Sequence, residues 1–137
     1  MQMALTEEQQ MIQDMARKFA ETELEPMAAE LDKTGNREVL LSNLKKLADL
    51  GFMGLNVKAE YGGSEAGVVA FSVAMTEIAR ACASTAVTMS VTNMVAEVIQ
   101  EVGNEEQCQK YIPKICSGEF AAGSFCLSEA NAGSDPS

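Results

Sequence analysis

The stretch Thr6-Glu7-Glu8-Gln9-Gln10-Met11-Ile12-Gln13-Asp14-Met15-Ala16-Arg17-Lys18-Phe19 sets the fold class. It opens as a capping box, in which the threonine oxygen takes a free amide of the first turn and Gln9 reaches back to the threonine N–H. Met11, Ile12, Met15, Ala16 and Phe19 then recur at helical spacing, which predicts one side turned to a core. A methionine-rich stripe of this kind is ordinary core filling. Pro26 is expected to bend or interrupt the helix before Met27 and Leu31 continue the stripe.

The same pattern repeats downstream. Asn36 can cap a second helix with Leu40, Leu41, Leu44, Leu47 and Ala48 on one face and Lys45, Lys46 and Asp49 on the other, and Gly51 stands where a left-handed terminator belongs. Residues 52–57 form a short apolar segment, and Glu60-Tyr61-Gly62-Gly63-Ser64 reads as a turn. A phosphate-binding loop is not implied, because no strand precedes these glycines and the G-x-G-x-x-G spacing is absent. Residues 68–82 are apolar nearly all round, which predicts a central helix enclosed by others. Ser84 can cap a further helix through Val87, Met89, Val91, Met94, Val95, Val98 and Ile99, ending at Gly103. Asn104-Glu105-Glu106-Gln107 caps a last one carrying Tyr111, Ile112 and Ile115, in which Pro113 predicts a kink or early stop. The expected fold class is therefore all-α, a bundle of about five helices.

Composition agrees. The 137 residues are 47% hydrophobic, 22% charged and 5% aromatic, with no tryptophan. That suits one globular core built from helix-favouring side chains. Twenty acidic against ten basic residues give a net charge of −10, a field that repels phosphate backbones and anionic headgroups and so argues against nucleic acid and membrane surfaces. Histidine is absent, and the four cysteines Cys82, Cys108, Cys116 and Cys126 show no C-x-x-C pairing, which disfavours zinc and predicts free thiols in a reducing compartment. No targeting segment or membrane span is legible. The expected location is the cytoplasm, or the mitochondrial matrix if the source is eukaryotic.

After Glu119 the helical period is lost. Residues 120–127 are small and β-compatible and predict one strand, which needs partners that the chain does not provide. The expectation is a boundary, with residues 1–119 a helical domain and residues 120–137 the start of a β-rich domain cut short. Beyond it lies Phe125-Cys126-Leu127-Ser128-Glu129-Ala130-Asn131-Ala132-Gly133-Ser134-Asp135, whose small residues let a backbone approach a flat ligand closely.

These residues resemble the acyl-CoA dehydrogenase signature: a small residue, an aliphatic, Ser or Thr, Glu, two variable positions, a small residue, Gly, Ser, Asp. Every position is met from Cys126 to Asp135. Two further stretches are similar to the family in its order. Leu50-Gly51-Phe52-Met53-Gly54-Leu55 leads to Glu60-Tyr61-Gly62-Gly63, and Gly103-Asn104-Glu105-Glu106-Gln107 leads to Tyr111-Ile112-Pro113 and Ser117-Gly118-Glu119. Lys58 departs from a common proline and Asn131 from a frequent glycine.

The resemblance implies an FAD-dependent oxidoreductase of fatty acid oxidation, with a helical domain, a middle β-domain and a C-terminal helical bundle. In such enzymes a carboxylate removes the proton α to the thioester carbonyl while flavin N5 takes a hydride from the β carbon. It places Phe125, Cys126, Leu127 and Ser128 along the flavin ring, the Ser128 hydroxyl near N5 and O4, and Ser134 against the acyl-CoA. The catalytic glutamate is expected beyond Ser137, so no residue here is nominated as catalytic, and Glu129 reads as a structural acceptor for amides. The implied partners are an acyl-CoA, an electron-transfer flavoprotein or similar acceptor, and further copies of the chain in a tetramer. Coenzyme A is anionic, so its site must be locally favourable or draw cations from elsewhere, and the further domains that the resemblance implies can supply cations and main-chain donors. An acyl-CoA oxidase or flavin monooxygenase of the same superfamily, and a non-catalytic helical interaction module, remain open as alternatives.

Overall fold

A computed structural model describes residues 4–134. Helix α1 (Glu7–Phe19) begins on the expected capping box: Gln9 N–H donates to Thr6 Oγ1 at 3.2 Å and Thr6 N–H to Gln9 Oε1 at 3.0 Å. Pro26 interrupts it without breaking it. The chain widens into a π-turn over Ala20–Leu24, in which Glu25 N–H reaches the Ala20 carbonyl, and narrows again as α2 (Glu25–Thr34) with Pro26 in its first turn. Placing proline where amides lack intrahelical partners removes most of its cost. Helices α3 (Arg37–Asp49), α4 (Gly67–Ala81), α5 (Ala83–Val102) and α6 (Glu105–Cys116) follow. Counting α1, the π-turn and α2 as one rod, the described residues hold five helical runs, and the all-α expectation stands.

Asn36 caps α3 by accepting from the amides of Glu38 and Val39, and Asn104 with Gln107 forms a second capping box on α6. Gly51 ends α3 at φ 81°, in the left-handed conformation only glycine adopts freely. Helix α4 packs against both α1 and α5, and α3 and α6 also contact α5. Two apolar cores result. The larger gathers Leu24, Leu44, Leu47, Phe52, Ile78 and Met89, and the smaller joins Val57, Tyr61, Ala96, Ile112 and Ile115. Each such side chain contributes about 2 kcal/mol on burial against about 1 kcal/mol for a cap, so packing holds the helices and the caps mark their ends.

The structure corrects several expectations. Met11 and Met15 face solvent, and Ala16, Phe19 and partly buried Ile12 carry the α1 contact. Helix α4 packs against two helices but is not enclosed: Val68 is 73% exposed, because its outer face meets no other element of the described chain. On α5, Val87, Met94 and Val98 are likewise exposed. Ser84 does not cap α5. Extended Cys82 holds the N-cap position with its thiol beside the Ser84 and Thr85 hydroxyls. Pro113 neither kinks α6 to a stop nor ends it, and the helix runs on to Cys116. Finally, the expected strand over residues 120–127 is not formed: Phe120 lies in a bend and residues 121–127 take no regular structure and make no ladder. A strand is defined by its partners, and the described residues offer none.

Candidate functional site

The segment carrying the signature leaves the bundle at the end of α6. Phe120 N–H returns to the Lys114 carbonyl at 2.9 Å, and the Lys114 ammonium sits 5.5 Å from the Phe120 ring centre. The chain then meets α5, where Gly123 N–H donates to Thr92 Oγ1 at 3.0 Å. It closes in a small turn in which Glu129 and Ala132 exchange both main-chain hydrogen bonds, at 3.1 and 3.2 Å. Glu129 therefore acts through its main chain, and no hydrogen bond of its carboxylate is found among the described residues.

Phe125, Cys126, Leu127 and Ser128 are consecutive on this run, outside any helix or strand, and all exposed, Phe125 by 46% and Leu127 by 56%. None of the main-chain groups of residues 124–128 is paired within the described chain. The run thus offers an apolar surface, unpaired main-chain donors and acceptors, a hydroxyl and a free thiol. That set suits one side of a flat heteroaromatic ring with a polar edge, so the residues fit a flavin on the side they line. Ser134 is exposed beyond the Glu129–Ala132 turn, apart from the run, and Asp135 lies outside the described residues.

The scaffold beneath this run rests on polar residues that sequence reasoning passed over. Fully buried Asn93 accepts from Leu55 N–H at 3.1 Å and donates to the carbonyls of Phe52 (2.9 Å) and Met89 (3.0 Å), tying the segment after α3 to α5. Close by, a Cβ on Gly63 would lie 2.0 Å from the Val57 carbonyl oxygen, so that turn admits no side chain there. Buried Thr92 is the tie to the signature run. Glu77, with 5% of its side chain exposed, joins α4 to α1 through Arg17. The sequence signal was weak, because polar residues are spread along α4 and α5 and only burial marks those that must find partners inside the fold. No helix among the described residues is long and apolar enough to cross a membrane.

Comparison with known proteins places this geometry. The family model described as "Acyl-CoA dehydrogenase, N-terminal domain" matches residues 6–119. The short-chain specific acyl-CoA dehydrogenase of Clostridium acetobutylicum is 40% identical over 132 residues, 96% of this chain and 34% of that protein. The structure of butyryl-CoA dehydrogenase from Megasphaera elsdenii superposes with a TM-score of 0.85 at 32% identity, covering 99% of this chain and 36% of that one. A Bacillus anthracis acyl-CoA dehydrogenase complexed with FAD gives 0.86 at 28% identity, over 96% of this chain and 22% of that one. The chain spans about a third of the length of the curated relative, 34%.

Proposed function

Because this chain belongs to the acyl-CoA dehydrogenase family, we propose that it forms the N-terminal helical domain of an FAD-dependent enzyme that oxidises an acyl-CoA to the trans-2-enoyl-CoA. The observation that carries the reading is the Cys126–Ser134 portion of the signature, exposed except for half-buried Ala132, on an irregular run tied to α5 at Gly123 and on the small turn that follows it. Bound FAD supplies the acceptor for the hydride leaving the β carbon. The residues of this chain supply contact and orientation. Phe125 and Leu127 exclude water from the ring, and the Ser128 hydroxyl donates to the edge that gains negative charge on reduction. Ser134 contacts the acyl-CoA. Removal of the α proton is assigned to none of these residues. An electron-transfer flavoprotein or similar acceptor, and association into a tetramer, belong to the same proposal. Alone, the 137 residues line the ring on one side only, so they are expected neither to retain FAD through purification nor to turn over acyl-CoA.

The test is Ser128→Ala in the full-length enzyme built on this chain. Loss of one hydrogen bond to a charged acceptor is worth about 1.5–3 kcal/mol, so the expected result is weaker FAD binding or a lower flavin reduction potential with the helical fold intact. Unchanged affinity, potential and turnover would remove Ser128 from the site.

A further inference from the structure

Among the described residues, the signature run is hydrogen-bonded to the helical bundle at few points, and one of them lies just ahead of Phe125. Thr92 lies midway along α5 with no exposed surface. Its Oγ1 donates to the Thr88 carbonyl at 2.7 Å, which commits the hydroxyl proton within the helix and leaves a lone pair directed outward. That lone pair accepts the Gly123 amide at 3.0 Å. The approach is close: a Cβ on Gly123 would stand 3.0 Å from Val95 Cβ and 3.2 Å from Thr92 Cα, so a residue without a side chain lets the run lie against the helix here. The Glu129–Ala132 turn bonds only to itself. Among the described residues, the Thr92–Gly123 bond is therefore the last hydrogen-bonded tie between the bundle and residues 124–128.

We propose that Thr92 is a positioning residue: by holding the Gly123 amide it fixes the register in which Phe125, Cys126, Leu127 and Ser128 leave α5, and so which of them face the cofactor. The proposal rests on the reading that these residues line FAD. Its physical core is the short reach of chain past the tie: Phe125 lies two residues beyond Gly123, at most about 7 Å along the chain, so a shift of the Gly123 amide is carried directly to residues 125–128. The side chain of Thr92 need not reach the ligand to act on it.

The experiment compares Thr92→Val, Thr92→Ser and Gly123→Ala by amide hydrogen exchange in the 137-residue chain. It also compares them by flavin absorption, reduction potential and acyl-CoA kinetics in the full-length enzyme. Thr92→Val should lower protection of the Gly123 amide about tenfold, shift the flavin band or potential, and reduce kcat more than it changes KM. Thr92→Ser, which keeps the oxygen, should restore all three. Gly123→Ala should reproduce the flavin shift with the threonine intact, which separates register from any loss of helix stability. Unchanged Gly123 protection in Thr92→Val overturns the proposal, and so does lost protection beside a wild-type flavin spectrum and potential. Absence of flavin from the wild-type enzyme would instead refute the FAD reading, leaving Gly123 protection alone to decide for or against the Thr92 tie.

Discussion

Glu77 on α4 accepts a hydrogen bond from the Arg17 guanidinium on α1 at 3.0 Å, and it is the one buried carboxylate among the described residues. Gln13 donates to the same oxygen at 3.1 Å and Arg80 to the other at 2.9 Å. The Arg17 hydrogen bond, with the charges of Arg17 and Arg80, outweighs burial and holds the Glu77 carboxyl below its ordinary value of 4.5.

A lowered carboxyl gives stability that is full above the ordinary value and lost as pH falls through the folded one. The α1–α4 contact should therefore weaken below about pH 4.5, and Glu77→Gln should remove that part of the acid sensitivity. Glu77→Ala removes the acceptor of three hydrogen bonds while Arg17 and Arg80 remain open to water, and should cost about 1–2 kcal/mol in urea unfolding at neutral pH. A flat acid profile in the wild-type chain would contradict this role.

Asn93 makes three hydrogen bonds at a site with no exposure. Asn93→Ala leaves the Leu55 amide and the Phe52 carbonyl buried without partners, and should destabilise the chain by about 2–4 kcal/mol. The loss should appear as a lower urea midpoint together with faster exchange of the Leu55 amide. A midpoint within error of wild type would mean that this segment is held by its apolar contacts alone.

Burial, and then the hydrogen bond that Tyr61 donates to Glu105 at 3.1 Å, push the Tyr61 phenol up to about 12. A phenol raised in the folded state gives stability present below its ordinary value of 10 and lost as pH rises through about 12. The chain has two tyrosines, so a Tyr111→Phe background isolates the signal. Phenolate absorption should appear near pH 12, and Glu105→Gln should bring it lower. A midpoint near 10 would count against this burial.

What was legible in the sequence was local. Thr6, Asn36 and Asn104 cap their helices as read, because a cap is a bond between residues two or three apart and needs no other part of the fold. The Pro26 disturbance was legible for the same reason, although its form as a π-turn was not. Exposure was misread wherever it depended on neighbours. Met11 and Met15 fit the helical period as well as Ala16 and Phe19 do, and only the placement of α4 decides which pair is covered. Val68 looked enclosed because periodicity records how apolar a face is and not whether anything lies on it.

At the site, the signature residues were found by resemblance; the structure has Phe125 to Ser128 consecutive on one exposed run and Ser134 apart from it, beyond a small turn. Thr92 and Asn93 were missed because each sits in a β-branched, apolar helix whose pattern reads as core. Their partners lie 31 and 38 or more residues away along the chain, or within their own helix. A hydroxyl bonded to its own helix and a hydroxyl holding a distant amide look the same in sequence.

The claim that this chain is the helical wall of an acyl-CoA-oxidising flavoenzyme is tested most directly by an absorption spectrum. The full-length enzyme built on it should purify with the bands of oxidised flavin, and anaerobic addition of acyl-CoAs of different chain length should bleach the visible band with the preferred substrate. A colourless protein that takes up no added FAD, or a flavin band that no acyl-CoA bleaches, would contradict the account.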